Sequence, residues 1–309
     1  MTSPAWDGTA EALLPLVRQL RLDHLAVTAS RTLTAAGIPH ALIKGPTTAL
    51  WLYDPPREYR DVDLLLPLSQ VGPAVKALVV DGVAEPGHAA LGELAAHSLV
   101  VLAPGGAEID VHVSLPGMRT PVGDGLWQAL APRVRPFGLG GHEVPALDPV
   151  GRCLVIALHA VMSGGHDPQP LEDLRRARNA LTDGQWPGVE ELAVTLGVRA
   201  HLEAAVAVLE QRSVTGMPAD VTLLVTGATG SAIQLERLSH VPISVAARTL
   251  ARELFPTQAF VSRQFPDLAG KRAGYVRGWW RRVNRLCRNL PAAVGQVRRA
   301  RRNARIGVM

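Results

Sequence analysis

The chain is poor in cysteine, and the two cysteines that it has are far apart. Cys153 and Cys287 are the only ones among 309 residues, and neither lies in a Cys-x-x-Cys pair or a Cys/His cluster. A disulfide framework or a zinc site needs several such residues at short spacing. We therefore expect neither of these features.

Long apolar runs and aromatic residues are scarce as well. No stretch approaches the roughly 18 apolar residues of a membrane-spanning helix, and the N-terminus lacks the basic and apolar segments of a signal peptide. Aromatic residues make up 4% of the chain and hydrophobic residues 47%, so the core is expected to consist mostly of Leu, Val and Ala. With 19% charged residues, the composition is that of a globular protein long enough for two domains. We expect a soluble cytoplasmic protein without a membrane span.

Acidic residues are missing from the end of the chain. Residues 271–309 contain 12 Lys and Arg and no Asp or Glu, whereas the 270 residues before them contain 20 basic and 27 acidic residues, a net charge of −7. A segment this basic could bind RNA, another acidic partner or anionic lipid. It could equally be a solvated basic helix, since runs of like charge usually lie at the surface.

The hydrophobic pattern changes twice along the chain. Apolar positions between Ala10 and Ala36 follow a helical period that ends at Gly37, strand and helix patterns then alternate, and from Pro149 the pattern is helical. Predicted strands cover 38–43, the run around Asp61 and Asp63, 97–102 and 108–113, with a hairpin at 104–106; predicted helices cover 47–51, 69–80, 150–162, 171–181 and 189–209. We therefore expect N-terminal helices in 1–38, an α/β domain in 39–148, a helical domain in 149–270 and a basic helix or tail in 271–309.

Three aspartates in apolar runs suggest a metal site. Asp61 and Asp63 are separated by one residue, so in a strand both side chains point to the same face. Asp110 lies in the later run Glu108–Val113, where an unpartnered carboxylate would be costly to bury. Close carboxylates repel one another unless a cation holds them, and oxygen ligands suit Mg²⁺ or Mn²⁺. Taken alone, the Asp-x-Asp pair could also be a turn or a helix cap.

A strand, a glycine turn and a helix, followed by a strand with paired aspartates and a later strand with a third, resemble the DNA polymerase beta-like nucleotidyltransferase superfamily. More narrowly, the chain resembles a family of uncharacterised nucleotidyltransferases found in bacterial genomes, some of them in peptide natural-product clusters. The residues that carry the resemblance are Leu42-Ile43-Lys44-Gly45, Tyr53 with Arg57, Asp61-Val62-Asp63-Leu64-Leu65, Glu108-Ile109-Asp110-Val111-His112, Leu158-His159, Glu172-Asp173-Leu174, Leu254-Phe255-Pro256 and Gly274-Tyr275-Val276-Arg277.

The resemblance implies an α/β (α+β) nucleotidyltransferase-like core with N-terminal helices and a helical C-terminal domain, and a site in the cleft between core and helical domain. It implies an enzyme that moves NMP from an NTP, ATP by default, to an unidentified small molecule, peptide or RNA by a two-metal mechanism. Asp61, Asp63 and Asp110 would be the metal ligands and catalytic residues. Those that would contact the nucleotide are Lys44, Gly45, Thr47, Thr48 and Arg57.

The role of the remaining polar residues stays open at this stage. His112 shares the face of Asp110 and could orient the acceptor or be a satisfied buried histidine. His159 and Asp173, on predicted helices, could contact nucleotide or acceptor, or form hydrogen bonds between helices. Lys44 could be a surface lysine at the end of a strand.

One residue departs from the superfamily pattern and leaves two other functions open. Most superfamily members have Ser after the glycine, whereas Pro46 lacks both a hydroxyl and a backbone N–H, although Lys44 could compensate as a point charge. The first alternative is a catalytically inactive scaffold that binds nucleotide or nucleic acid. The second is a kinase-like relative that transfers the γ-phosphate.

Overall fold

The fold was described from a computed structural model, which covers residues 10–86, 98–115, 117–118, 124–164, 167–241, 243–256, 258–268, 270–271 and 273–306. The strands are β1 (Ala41–Leu42), β2 (Asp61–Leu65), β3 (Ser98–Leu102), β4 (Glu108–His112), β5 (Val134–Leu139) and β6 (His142–Leu147). The helices are α1 (Ala10–Ala35), α2 (Pro46–Leu52), α3 (Val71–Val80), α4 (Gly125–Leu130), α5 (Pro149–Met162), α6 (Pro168–Ala180), α7 (Gln185–Thr195), α8 (Arg199–Leu209), α9 (Ala219–Val225), α10 (Gly230–Leu238), α11 (Ile243–Leu254), α12 (Gln258–Gln264) and α13 (Gly274–Ile306).

The strands form a mixed sheet in the order β3-β4-β2-β1-β6-β5. β2 pairs in parallel with β4 and antiparallel with β1, so it lies inside the sheet. The predicted hairpin is confirmed, because β3 and β4 pair antiparallel across the turn that contains Gly105 and Gly106, both with positive φ. The predicted mixed α/β architecture, with an N-terminal helix, a central sheet and a helical C-terminal part, is thus confirmed.

Several elements differ from their predicted bounds. The predicted strand 38–43 is reduced to Ala41–Leu42, and His97 of the predicted strand 97–102 lies outside the described residues. The single predicted helix 189–209 is wrong, because Gly197, with φ of 67°, ends one helix and a second begins at Arg199. β5 and β6 were not predicted, although the Gly140-Gly141 pair between them, with positive φ at both residues, is a hairpin signal.

The chain divides into two compact units. The first contains the residues up to Ala160 and Pro168–Leu209, and the second contains Val161–Asp167 and the residues from Glu210 onward. In the first unit α1 and α3 pack on the sheet, and buried Leu, Ile, Val and Ala side chains form its core. In the second unit α13 packs against α9 and α10 through Ala293, Val297 and Ala300. The domain boundary expected near residue 148 stays a prediction.

Among the helices of the described ranges, none combines the length and the apolar character that are needed to cross a bilayer.

Candidate metal and nucleotide site

The pairing of β2 with β4 brings the candidate carboxylates together. The two strands run parallel with Asp63 opposite Asp110, and side chains two residues apart point to the same face. Asp61 and His112 therefore share the face of Asp63 and Asp110. The alternate residues Val62, Leu64, Ile109 and Val111 are fully buried and anchor both strands in the core. The period-two arrangement expected from the sequence is what aligns the polar groups.

The turn after β1 places a cation on this face. β1 pairs antiparallel with β2, with Leu42 opposite Leu64, and the backbone N–H of Ile43 donates to the carbonyl of Asp63 at 3.2 Å. Lys44 follows directly, and its Nζ lies 2.8 Å from Asp63 Oδ1. Lys44 is therefore part of the polar cluster and not an isolated surface lysine.

Asp63 is the most strongly held of the three carboxylates. Its side chain is buried, and its Oδ1, which Lys44 contacts, also accepts a hydrogen bond of 2.8 Å from His112 Nε2. Burial opposes ionisation, but the hydrogen bonds and charges of His112 and Lys44 outweigh it and lower the pKa of Asp63. Asp63 is therefore a carboxylate anion over the whole physiological pH range.

Asp61 and Asp110 experience the opposite effect. Burial, reinforced by the charge of Asp63, raises the pKa of Asp61, and burial is also the main cause of the raised pKa of Asp110. The raised pKa values mean that the ionised forms of Asp61 and Asp110 are disfavoured in this environment. A bound cation would favour the ionised form of both carboxylates.

A divalent cation fits the residues at this site. Asp63, Asp110 and His112 each offer a ligand atom, and these atoms lie within 4.8 Å of one another. Asp110 Oδ1 and His112 Nδ1 are buried and have no hydrogen-bond partner among the residues that the structure describes. Such atoms are costly to bury unless a ligand occupies them, and carboxylates favour Mg²⁺ or Mn²⁺. The expected triad contained Asp61; the observed cluster contains His112 in its place, with Asp61 within electrostatic range of the group.

The glycine turn is tightly built. Gly45 has a φ of 61°, and a Cβ there would lie 3.1 Å from the carbonyl oxygen of Asp61 and 3.3 Å from the Tyr59 ring. Pro46 is the first residue of α2, where a missing backbone N–H does not weaken the helix. For a phosphate, the departure from the superfamily pattern still removes both a hydroxyl and one backbone N–H donor.

The two threonines of the turn are buried. Thr47 donates its hydroxyl to the carbonyl of Lys44 at 3.1 Å, and Thr48 Oγ1 has no partner within the described part of the chain.

Arg152 on α5, which sequence reasoning missed, donates to the carbonyl of Thr47 at 3.1 Å and stacks over the Trp51 ring at 4.7 Å. An arginine within an apolar helical run was the available signal. Burial lowers the pKa of Arg152 to about 10. Through these contacts, Arg152 supports the backbone of the turn.

Arg57 is held by a carboxylate from a distant part of the chain. Its Nε and Nη2 donate to the two oxygens of Asp173 on α6 at 3.1 and 2.6 Å. Tyr53 and Gln169 donate to the same carboxylate at 2.6 and 2.9 Å. The resemblance pointed to Tyr53, but nothing in the sequence singled out Gln169. Asp173 therefore contacts Arg57 and not solvent.

His159, on α5, is influenced by the charges of the Lys44–Asp63 pair and of the Arg57–Asp173 pair. Its side chain is accessible to solvent, yet the protein around the ring lowers its pKa, and the positive charge of Lys44 lowers it further. Asp63, Asp173 and Arg57 also influence this pKa. His159 is thus an accessible imidazole whose surroundings favour the neutral form.

A family model and several solved structures match the chain. The family model described as uncharacterised nucleotidyltransferase matches residues 11–212, roughly two thirds of the chain. Among solved structures, an antigenic nucleotidyltransferase-like protein from Paracoccidioides brasiliensis is 16% identical with a TM-score of 0.37, and the match covers 63% of this chain and 92% of that one. The antibiotic-resistance factor ANT(2'')-Ia is also 16% identical with a TM-score of 0.37, covering 63% of this chain and 96% of that one. No curated protein matches the sequence.

Proposed function

Because the chain belongs to the uncharacterised nucleotidyltransferase family, a family of transferases, we propose that it transfers NMP from an NTP to a hydroxyl or amine of an acceptor. ATP is the default donor, and the acceptor is a small molecule, a peptide or RNA. The observation that carries the proposal is the register of β2 and β4, which sets Asp63 beside Asp110. Lys44 contacts the carboxylate of Asp63. The carboxylates of Asp61, Asp63 and Asp110 and the Lys44 ammonium therefore share one face of the sheet.

Lys44 and Arg57 are the proposed contacts of the triphosphate. Each is partly exposed, at 24% and 26% of the side chain, and each is held by a carboxylate that is almost fully buried. Lys44 would exchange Asp63 for a phosphate oxygen. Arg57 can keep Asp173 on its Nε and Nη2, and its Nη1, which donates to the carbonyl of Glu58 at 2.9 Å, would turn to a phosphate oxygen. Gly45 would allow the phosphates to approach the backbone. The burial of Thr47 and Thr48 favours a supporting role over direct contact.

The acidic residues have distinct proposed roles. Asp61 and Asp63 would hold the divalent cations, Mg²⁺ or Mn²⁺, with Asp110 and His112 completing the cation nearest the acceptor. When bound, these cations would neutralise the charge that develops on the attacking and leaving oxygens. The acceptor atom bonds to the α-phosphorus as the bond to the bridging oxygen breaks, and pyrophosphate leaves with the electron pair. Asp110, whose pKa burial raises, would take the acceptor's proton, and His159 would face the acceptor or nucleotide.

Calorimetric titration tests the nucleotide site. The four NTPs are titrated into the wild type and an Asp61→Ala/Asp63→Ala variant, with and without Mg²⁺. A Glu190→Ala/Glu203→Ala variant, which removes two exposed carboxylates on α7 and α8, is the matched control. Mg²⁺-dependent binding to wild type and control, lost in the aspartate variant, supports the proposal. Absence of binding to the wild type in every metal condition would contradict it and favour a scaffold without nucleotide chemistry.

Product mass distinguishes the two kinds of transfer. Incubation with ATP, Mg²⁺ and a library of acceptors should give an acceptor heavier by an adenylyl group, with pyrophosphate released. Release of ADP with a phosphorylated acceptor would instead show γ-phosphate transfer. A cytoplasmic location and a place in natural-product biosynthesis stay predictions from the sequence.

A further inference from the structure

α13 carries an arginine-rich face that is turned away from its own packing surface. The helix is 33 residues long, about 50 Å at 1.5 Å per residue, and its buried side contacts α9, α10 and α12. Gly278 lets α12 approach closely, because a Cβ there would collide with Val261. At 100° per residue, seven arginines fall on the side opposite Ala293, Val297 and Ala300; we call these seven, at 277, 281, 288, 298, 299, 302 and 305, the arginine stripe.

Most of these arginines have no side-chain partner among the residues that the structure describes. Arg281 pairs with Asp267 at 2.8 Å, and Arg301, beside the stripe, pairs with Glu236 at 2.8 Å. The other stripe residues form no ion pair or hydrogen bond with side chains in the described ranges; they are Arg277, Arg288, Arg298, Arg299, Arg302 and Arg305. All six are exposed, and residues 271–309 contain no acidic residue that could neutralise them.

The chemistry of the stripe favours a polyphosphate chain over a membrane. The core-facing apolar side chains of α13 are used in packing within its own unit. The large apolar side chains that stay exposed on α13 are Tyr275, Val276, Trp280 and Leu290, beside the seven exposed arginines of the stripe, so its free surface is mainly cationic and does not form the wide apolar face of a helix that inserts into lipid. Guanidinium groups bind phosphate oxygens in a bidentate manner, and they extend here over about 42 Å of helix. An acidic peptide would satisfy the charges but would leave Trp280 unused.

The exposed indole of Trp280 favours a single-stranded nucleic acid over a duplex. Its side chain is 62% exposed, one residue from Arg281 and three from Arg277, and its ring lies 6.3 Å from that of Trp279. An exposed indole beside arginines is a stacking platform for a base, and a base can stack there only when it is not paired in a duplex. Unpaired strands in a cell are chiefly RNA.

We propose that the arginine stripe and Trp280 bind single-stranded RNA, with the phosphates on the arginines and a base on the indole. The surface lies in the second compact unit, so the proposal does not depend on the nucleotidyl transfer proposed for the first.

Fluorescence anisotropy with a labelled RNA of about 12 nucleotides tests this surface in the full-length protein. Arg298→Gln/Arg299→Gln/Arg302→Gln removes three charges from the stripe, and Arg199→Gln/Arg212→Gln/Arg248→Gln removes three from exposed arginines elsewhere. Each lost phosphate contact should reduce the slope of log affinity against log salt by about 0.7, hence by about 2 for the stripe variant. Trp280→Ala should weaken binding about tenfold. Circular dichroism checks that both triple variants remain folded.

The outcomes separate the proposal from its rivals. Binding that falls in the stripe variant and in Trp280→Ala, with the control variant close to wild type, supports it. Equal losses of RNA affinity in both triple variants would show that only the net charge of the protein matters, and would overturn the proposal. Tighter binding to duplex RNA, single-stranded DNA, polyglutamate or phosphatidylserine vesicles than to single-stranded RNA would also overturn it.

Discussion

At the scale of single residues, Asp173 shows how a buried carboxylate can serve another side chain. Its Oδ1 accepts from Tyr53, Arg57 and Gln169, and its Oδ2 accepts from Arg57. Both oxygens are therefore occupied, and the carboxylate fixes the position of the Arg57 guanidinium. In the proposed reaction, Asp173 would position Arg57 for the triphosphate.

Asp173→Asn should weaken ATP binding about tenfold, because the amide cannot accept both guanidinium bonds and Arg57 loses its fixed orientation. The free energy of unfolding should fall by about 2 kcal/mol, since a mostly buried ion pair is broken. Calorimetry and urea unfolding measure the two effects. Glu203→Gln, which breaks the exposed pair with Arg199, is the control and should change neither. Unchanged ATP affinity in Asp173→Asn would contradict the positioning role.

His40 links stability to pH away from the site. Its Nδ1 donates to the carbonyl of Ile38 at 2.9 Å, and its Nε2 lies 2.8 Å from the Ser30 hydroxyl. Burial lowers its pKa below the ordinary 6.5. The unfolded chain therefore binds the proton more readily, so the stabilising contribution is complete above pH 6.5 and is lost as the pH falls towards the folded pKa.

Urea unfolding at pH 7.5 and 5.5 should show this loss. His40→Gln has no proton to bind and should lose less stability between the two pH values than the wild type. His142→Gln changes an exposed histidine and should keep the wild-type pH dependence. Equal pH dependence in the wild type and His40→Gln would show that the protonation of His40 does not contribute.

At the scale of elements, the turn from β1 to α2 sets the distance between Lys44 and the carboxylates. Two contacts restrict the turn. Gly45 lies close to the Asp61 carbonyl and the Tyr59 ring, and Arg152 donates a hydrogen bond to the carbonyl of Thr47. A displacement of the turn would move Lys44 away from Asp63. The phosphate-binding and metal-binding parts of the proposed site are therefore coupled through this backbone.

Gly45→Ala should lower the free energy of unfolding by about 2 kcal/mol, because alanine must adopt a positive φ and its Cβ presses on the Asp61 carbonyl. Gly82→Ala is the matched control, since Gly82 also has a positive φ of 68° but open space around a Cβ, so only the conformational cost of about 1 kcal/mol remains. Thermal unfolding and ATP calorimetry measure both variants. Equal losses of stability, with ATP binding intact in both, would show that the close approach is unimportant.

At the scale of the whole molecule, the candidate site and the arginine stripe belong to different compact units. The site residues Lys44, Arg57, Asp61, Asp63, Asp110, His112, His159 and Asp173 are all in the first unit. The family match, which ends at residue 212, covers this unit as well. The first unit thus contains the sheet, its core and the polar groups that the proposed chemistry needs.

A protein that ends at Leu209 should fold and bind ATP with Mg²⁺ at close to full-length affinity, because the residues that build the sheet core are all present. It should also lose RNA binding, since α13 is removed. Circular dichroism, calorimetry and anisotropy measure these properties, and the same shortened protein with Asp61→Ala/Asp63→Ala is the control. A shortened protein that folds but does not bind ATP would place part of the site in the second unit.

Local pattern and long-range packing contributed differently to this protein. By itself, the sequence determined the paired-aspartate strand, the glycine turn, the β3–β4 hairpin and the basic character of α13, since each depends on residues a few positions apart. Only the tertiary structure decided that Lys44 and His112 share one oxygen of Asp63, and that Asp173 holds Arg57 across 116 residues of chain. Periodicity decides which face a side chain occupies, whereas its partner depends on which distant segments the core brings together.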